Sequence, residues 1–295
     1  MLWQSREKNL AIQRERGNAV IIAVINNKGG TGKTTTCVNL SAALANSGYR
    51  VLVVDLDSQA SASLFLGIQW NDLIPSIADV LFKGVAIEEA IRQTTAPHLD
   101  LLPGGMELAH ADLTLANVSG RENRIAESLE DVRQEYDFIF CDCPPSLSML
   151  SINALVAADG YIVPVTAEYL ALEGLVFFLA SCEKIKEGMG IHPELIGIAF
   201  TMVNPFLKAM RKSTREIMGI IRKHYGNEVF KTEIRRDVRI NESPSFGRSI
   251  FDFAPKSRGA RAYAMLAGEV MERCNIDVQQ QMESVKRKHM TTSQE

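Results

Sequence analysis

The segment Lys28-Gly29-Gly30-Thr31-Gly32-Lys33-Thr34-Thr35 has the residue types and the spacing of a phosphate-binding loop. Glycines let backbone N–H groups approach phosphate oxygens, and a helix that begins there adds its N-terminal dipole. Lys33 is placed to neutralise the β- and γ-phosphates, and the Thr34 hydroxyl is placed to bind Mg²⁺. An apolar run precedes the loop and a helical pattern follows it, as such a site requires. The segment therefore predicts a nucleotide-phosphate site.

Three aspartates that follow apolar runs are candidates to complete this site. Asp55 and Asp57 end the run that begins at Val51, and Asp142 ends the run that begins at Phe138. In an open parallel sheet, ligands bind at the carboxyl ends of the strands. Carboxylates at that edge are suited to Mg²⁺ and to an attacking water. Asp57 and Asp142 are the main candidates, because Asp55 could instead brace the loop.

Strand-sized apolar runs alternate with segments of helical period. The apolar runs are 19–25, 51–55, 138–142, 161–165 and 195–200, and the helical segments are 34–46, 121–135, 170–186 and 210–224. This alternation predicts an α/β fold with a doubly wound, mostly parallel sheet and helices on both faces. We expect one such domain over residues 18–275, an N-terminal extension over 1–17 and a flexible C-terminal tail over 276–295.

The composition narrows the class of protein. Of 295 residues, 46% are hydrophobic, which is enough apolar surface for a folded chain. No apolar run approaches the ~20 residues of a membrane helix, and the N-terminus lacks a signal-peptide core, so we expect a cytoplasmic protein. The five cysteines form no CxxC pair. They are expected to be reduced thiols in the core rather than disulfides or zinc ligands.

The formal net charge of −3 conceals a strong segregation of charge. Residues 208–261 hold 14 Lys and Arg against six Asp and Glu, whereas the rest of the chain holds 18 against 29. No aromatic residues are interleaved with these cations in the manner of single-strand binders, and no helix-turn-helix pattern is present. The segment is typical either of a solvated face or of contacts to nucleic-acid phosphates.

Several motifs, in order, resemble those of the ParA/MinD group of deviant Walker-type ATPases, and within it the chromosomal ParA (Soj-like) branch. They lie at residues 27–35, 55–59, 141–146, 168–174, 237–245 and 255–260. The resemblance spans residues 21–274. It implies a P-loop fold with ATP and Mg²⁺, a homodimer with two nucleotides between its subunits, nonspecific binding of double-stranded DNA, and nucleoid association. It also implies slow intrinsic hydrolysis that a ParB-like partner stimulates, and a role in segregating or positioning chromosome or plasmid DNA.

The same resemblance implies roles for individual residues of the site. Lys28 matches the lysine that reaches the partner's phosphates, and a standard loop would have glycine where this chain has Asn27. The catalytic set is then Lys28, Lys33 and Asp57, with Asp57 orienting the attacking water. Asp142 would hold Mg²⁺ through a water, with Asp55 as a further candidate ligand beside Thr34. Gly29 would lie where the subunits approach each other, so a β-branched residue there should block the dimer.

The resemblance also places DNA contacts in the basic segment. Arg211, Arg236, Arg239 and Lys256 match the nonspecific contacts, and Arg235, which stands where proline is common, is a further candidate. The contacts are expected to be to phosphates, and therefore independent of sequence and sensitive to salt.

The chain departs from the family pattern after Asp57. Where the family usually has Asp-Pro-Gln-Gly-Asn, residues 57–61 read Asp-Ser-Gln-Ala-Ser. This difference bears on the rate of hydrolysis more than on nucleotide binding.

Three alternatives remain open from the sequence. A membrane-cycling MinD-like ATPase would need an amphipathic C-terminal helix, but Val278, Met282 and Val285 form only a thin apolar stripe, so no stable membrane anchor is expected. An iron–sulfur carrier would need paired cysteines, but Cys141 and Cys143 flank Asp142 on a predicted strand. A nucleoid-bound positioner of a protein cargo would share the biochemistry and differ only in cargo.

Overall fold

The structure is a computed structural model that describes residues 19–168, 171–204 and 208–274, with 208–213 described by their backbone alone. Within these residues, eight strands form one sheet. The strands are β1 (Val20–Val24), β2 (Val51–Asp55), β3 (Arg92–Gln93), β4 (Leu99–Leu102), β5 (Phe138–Asp142), β6 (Gly160–Thr166), β7 (Glu194–Val203) and β8 (Val229–Arg235). Their order is β3-β4-β2-β5-β1-β6-β7-β8. All neighbours pair in parallel except β3, which is antiparallel to β4.

Helices occupy most of the connections between strands. The described α-helices are α1 (Lys33–Asn46), α2 (Ser61–Phe65), α3 (Ile77–Lys83), α4 (Ile87–Ala90), α5 (Ala111–Thr114), α6 (Arg124–Glu130), α7 (Met149–Ala157), α8 (Ala171–Met189), α9 (Lys208–Tyr225), α10 (Val238–Glu242), α11 (Ile250–Phe253) and α12 (Arg258–Arg273). Short 3₁₀ turns occur at Trp70–Asp72, Met106–His110, Arg133–Glu135, Gly226–Glu228 and Ser243–Phe246.

The sheet is buried on both faces by two separate layers of helices. Along β1, Ile21 and Ala23 face one core, whereas Val20, Ile22 and Val24 face the other. The second core also contains residues of α1 and α12. Since successive side chains of a strand point to opposite faces, a strand covered on both faces must be apolar at every position. The continuous apolar runs of the sequence have this cause, and the predicted doubly wound fold is confirmed.

Most predicted elements are present, and one predicted helix is wrong. The predicted strands at 51–55 and 138–142 have the observed bounds. The helix predicted over 121–135 is instead α6 followed by a separate 3₁₀ turn at Arg133–Glu135. The break turns the Arg133 guanidinium inward, where it donates to both carboxylate oxygens of Asp159 at 3.1 Å. A tertiary ion pair therefore overrides the helical pattern.

Some sequence predictions concern regions that the structure does not describe. The extension over 1–17 and the tail over 276–295 lie outside the described residues, as does the apolar stripe that a membrane-cycling protein would use. Among the described helices, none combines the length and the apolar character needed to cross a bilayer. All five cysteines are free and buried.

Candidate nucleotide site and basic surface

The predicted phosphate-binding loop connects β1 to α1 at the carboxyl edge of the sheet. Gly30 and Gly32 adopt positive φ angles of 72° and 82°, a region that side chains disfavour, so glycine is favoured at both positions. The loop is anchored from β7, because the Thr201 hydroxyl donates to the carbonyl of Thr31 at 2.7 Å. Its backbone amides lie directly before the first turn of α1, as anion binding by a helix N-terminus requires.

Lys33 lies folded over this loop. Its ammonium donates to the backbone carbonyl of Lys28 at 3.1 Å, and the residue is buried. Burial lowers the pKa of Lys33, and the nearby carboxylates of Asp142 and Asp57 counteract that shift. The loop therefore holds a partly desolvated cation next to two acidic groups, and an anion bound in the loop would stabilise its charged form.

Asp142 is the least satisfied polar group of the site. It ends β5 and is fully buried, and neither carboxylate oxygen hydrogen-bonds within the described part of the chain. Burial and the adjacent Asp55 raise the pKa of Asp142 well above its usual range, whereas the Thr34 hydroxyl, which approaches the carboxylate without a hydrogen bond of good geometry, and the Lys33 ammonium lower it. A buried carboxylate without a well-formed hydrogen bond is costly, and a divalent cation is the group that satisfies it best.

Asp55 stands beside Asp142 in the sheet but is engaged by its own loop. One oxygen accepts from the Ser63 amide at 2.8 Å and from the Ser63 hydroxyl at 2.7 Å, and the other accepts from the Asp57 amide at 3.2 Å. Burial raises its pKa to about 6, against the effect of these hydrogen bonds. These contacts indicate that Asp55 stabilises the loop that follows β2. The fit to Mg²⁺ therefore rests on Asp142 and Thr34 rather than on Asp55.

The loop that follows β2 presents Asp57 at the edge of the site. The Asp57 side chain is half-buried and accepts from the amide of Gln59 at 3.0 Å. Gly104 packs against this loop so closely that a Cβ there would lie 2.8 Å from the carbonyl oxygen of Asp57. Sequence reasoning did not find Gly104 or Ser63, because both reach the loop from outside the motif. The Pro-Gly-Gly run at 103–105 was the available signal for Gly104.

Lys28 points outward rather than into its own phosphate loop. Its ammonium forms an ion pair with Glu168 at 2.9 Å, and the two side chains are 45% and 58% exposed. Exposed pairs of this kind contribute little to stability, so the lysine is free to exchange Glu168 for a more strongly charged partner. Neighbouring Gly29 is also exposed.

The basic segment begins on α9 and continues over β8, α10 and the start of α12. Arg235, Arg236, Arg239 and Lys256 are all exposed, and Arg239 and Lys256 line one shallow groove of about 460 Å³. Arg235, Arg236 and Arg239 do not share one loop, because Arg235 ends β8 and Arg239 lies in α10. Arg211 belongs to α9, but its side chain lies outside the description.

Comparison with known proteins decides the family. A family described as an AAA domain matches residues 19–195. The sporulation initiation inhibitor protein Soj of Bacillus subtilis is 42% identical over 250 residues, which cover 85% of this chain and 97% of that protein. The chromosome partitioning protein ParA of Myxococcus xanthus is 37% identical over 88% of this chain and 91% of its own length. The chain belongs to the ParA/MinD family of ATPases.

A solved structure supports the same conclusion for the fold of this ParA/MinD family member. The structure of cobyrinic acid a,c-diamide synthase from Mycobacterium smegmatis, with bound ATP analog and magnesium, matches with a TM-score of 0.73. The two sequences are 31% identical, and the match covers 85% of this chain and 93% of that chain.

Proposed function

We propose that this chain is a Mg²⁺-dependent ATPase that dimerises around ATP and binds double-stranded DNA without sequence preference. A ParB-like protein would stimulate hydrolysis and release the dimer from DNA. The cycle would segregate or position chromosome or plasmid DNA from a cytoplasmic, nucleoid-associated location. The ATPase domain would occupy residues 18–275.

The observation that carries the nucleotide part is the buried, unpartnered carboxylate of Asp142 beside the phosphate loop. Its environment fits Mg²⁺, with Thr34 and Asp142 as the residues that would hold the ion, Asp142 through a water. Bound there, Mg²⁺ would neutralise phosphate charge. The solved relative with an ATP analog and magnesium supports this assignment.

The residues of the loop have separate tasks in the proposed reaction. The amides of residues 28–35 and the ammonium of Lys33 would bind the phosphates of the chain's own ATP. Asp57, at the edge of the site, would orient the attacking water. The exposed Lys28 would leave Glu168 and contact the phosphates held by a second subunit. Slow intrinsic turnover is expected, because the sequence shows no clear arginine finger supplied in cis.

The DNA-binding part rests on the exposed cations of β8, α10 and the α11–α12 connection. Contacts from Arg235, Arg236, Arg239 and Lys256 to phosphates would give salt-dependent binding without base readout. The basic surface of a single subunit would make few phosphate contacts. A dimer presents two such surfaces at once, so ATP would control DNA affinity through avidity.

Charge reversal at Arg239 separates DNA binding from dimerisation. In Arg239→Glu, DNA binding in the presence of ATP should be abolished, while ATP-driven dimerisation should persist. A DNA mobility assay and light scattering with Mg²⁺ and ATP measure the two properties. Lys184→Glu, an exposed position on α8, is the matched control and should keep both. Loss of dimerisation together with DNA binding in Arg239→Glu would contradict the assignment.

A further inference from the structure

A second, larger groove adjoins the one that holds Lys256. It has a volume of about 750 Å³, lies between β8, α10 and α12, and includes Arg258, Arg261 and Met265 of α12 in its lining. The two grooves share Asp237, Arg239 and Arg258. The surface from Lys256 past Arg239 to Arg261 is therefore one continuous channel, which we call the α12 groove.

The α12 groove has a large excess of positive charge. Its larger part is lined by six cationic residues, Lys231, Arg235, Arg236, Arg239, Arg258 and Arg261, and by the acidic residues Glu233 and Asp237.

Both acidic residues are already engaged by donors. Glu233 accepts from the Arg222 guanidinium at 3.0 Å, and Asp237 accepts two backbone N–H groups at 2.9 Å. By contrast, Arg258 and Arg261 are exposed, and neither forms an ion pair with any residue that the structure describes. Arg239 pairs with the exposed Glu242 at 3.3 Å, so Arg258 and Arg261 are the cations that the groove offers most readily to an external anion.

Asp237 fixes the two walls of the α12 groove relative to each other. One carboxylate oxygen accepts from the amide of Arg239 at the start of α10, and the other accepts from the amide of Gly259 in the first turn of α12. The helices also touch directly, since a Cβ at Gly259 would lie 2.6 Å from a side-chain carbon of Ile240. Arg239 and Arg258 are thus held on a preformed surface, which lowers the entropy cost of binding an extended anion.

We propose that the α12 groove follows the phosphate backbone of double-stranded DNA, and that Arg258 and Arg261 are DNA contacts in addition to those on β8, α10 and the α11–α12 connection. The two arginines are three residues apart on α12 and therefore lie on the same side of the helix. Their contacts are to phosphates, so they add affinity and salt dependence without sequence preference. This inference rests on the proposed DNA-binding function.

The test is the salt dependence of DNA binding by the full-length protein with Mg²⁺ and ATP. Each phosphate contact contributes about 0.9 to the slope of log affinity against log salt concentration. Because the ATP dimer presents the groove twice, the double variant Arg258→Ala/Arg261→Ala removes four contacts and should lower the magnitude of the slope by about 3.6. The charge-preserving Arg258→Lys/Arg261→Lys should keep the slope of the unmodified chain.

A double variant that removes two cations elsewhere is the matched control. Arg50→Ala/Lys184→Ala changes exposed residues outside the groove and should leave the slope unchanged. If the unmodified protein binds DNA with ATP but the Arg258→Ala/Arg261→Ala slope equals that of the control, this inference is wrong and the proposed function stands. If the unmodified protein does not bind DNA with ATP, both are wrong.

Discussion

At the scale of single residues, the nucleotide site depends on groups that the monomer leaves incompletely satisfied. Asp142 has a buried carboxylate without a hydrogen bond among the described residues, and Lys33 has a desolvated ammonium whose pKa burial lowers. Lys28 holds only a solvent-exposed partner. In the proposed function, each of these groups would gain a stronger interaction from a magnesium-bound triphosphate and a second subunit, which is the behaviour expected of a ligand-driven dimer.

Gly29 tests the proposed approach of two subunits. The nearest atom to a Cβ at this position is the Cβ of Pro145 at 3.9 Å, which is ordinary contact, so a larger side chain fits within one subunit. Gly29→Val should therefore fold and bind ATP, but should fail to dimerise, because in the proposed dimer the added methyl groups would meet the partner subunit. ATP affinity by calorimetry and mass by light scattering measure the two effects. Gly29→Ala is the graded control, with a smaller loss, and an ATP-bound Gly29→Val that dimerises like the unmodified chain would refute the sandwich.

The backbone of Ala60 is strained. It adopts φ 49°, a left-handed conformation, at the position where the family usually has glycine. For a side-chain-bearing residue this conformation costs about 1–2 kcal/mol, and glycine loses about 0.5–1 kcal/mol of entropy on folding. Ala60→Gly also removes a fully buried methyl group worth about 0.8 kcal/mol, so these terms nearly cancel and the free energy of unfolding, measured by urea denaturation, should stay about the same.

Ala62→Gly is the control for Ala60→Gly, because Ala62 lies within the right-handed helix α2. Glycine there should lower the free energy of unfolding by about 1 kcal/mol. The account of strain at position 60 fails if both variants destabilise the protein.

At the scale of elements, Asp237 joins α10 to α12 through one carboxylate. Asp237→Ala removes a negative charge from the proposed DNA-binding surface, so charge alone would strengthen DNA binding. If the contact between the helices positions Arg239 and Arg258, binding should weaken instead. Stability should also fall, by about 1–3 kcal/mol, since two amides lose their acceptor.

Ser257→Ala is the matched control for Asp237→Ala. Ser257 caps α12 alone, accepting from the amide of Ala260 at 3.0 Å, and does not link it to α10. Ser257→Ala should cost about 1 kcal/mol of stability and leave DNA affinity close to that of the unmodified chain. DNA titrations and thermal unfolding of both variants give the comparison. Stronger DNA binding by Asp237→Ala would show that the charge of Asp237 controls DNA affinity and that the link it makes between α10 and α12 does not.

The sequence predicted elements best where local pattern and tertiary burial agree. The runs at 51–55 and 138–142 are apolar up to their final aspartates because helices cover both faces of β2 and β5. We did not predict β8, an edge strand in which exposed Lys231 and half-buried Glu233 interrupt the apolar pattern. The phosphate loop was predictable because its residues are consecutive. The link from Asp237 to Gly259 was not, because it spans 22 residues and depends on how two helices pack.

At the scale of the whole molecule, the distribution of charge distinguishes a basic surface from the nucleotide site. The chain has a net charge of −3, but six of the 14 basic residues between 208 and 261 lie around one groove formed by β8, α10 and α12. Helix α1 begins at the phosphate loop and packs in the same core as α12, and its Asn39 side chain accepts from the amide of Ile250 in α11 at 2.8 Å. Helix α1 therefore connects the nucleotide site to the elements that carry the basic surface.

The measurement that tests the central claim most directly is the affinity of the full-length protein for double-stranded DNA of unrelated sequences, with Mg²⁺ and either ATP or ADP, over a range of salt concentrations. The account predicts tight binding with ATP that is indifferent to sequence and falls steeply with salt, and weak binding with ADP, because only the ATP dimer presents two basic surfaces. Equal affinity with both nucleotides would contradict it.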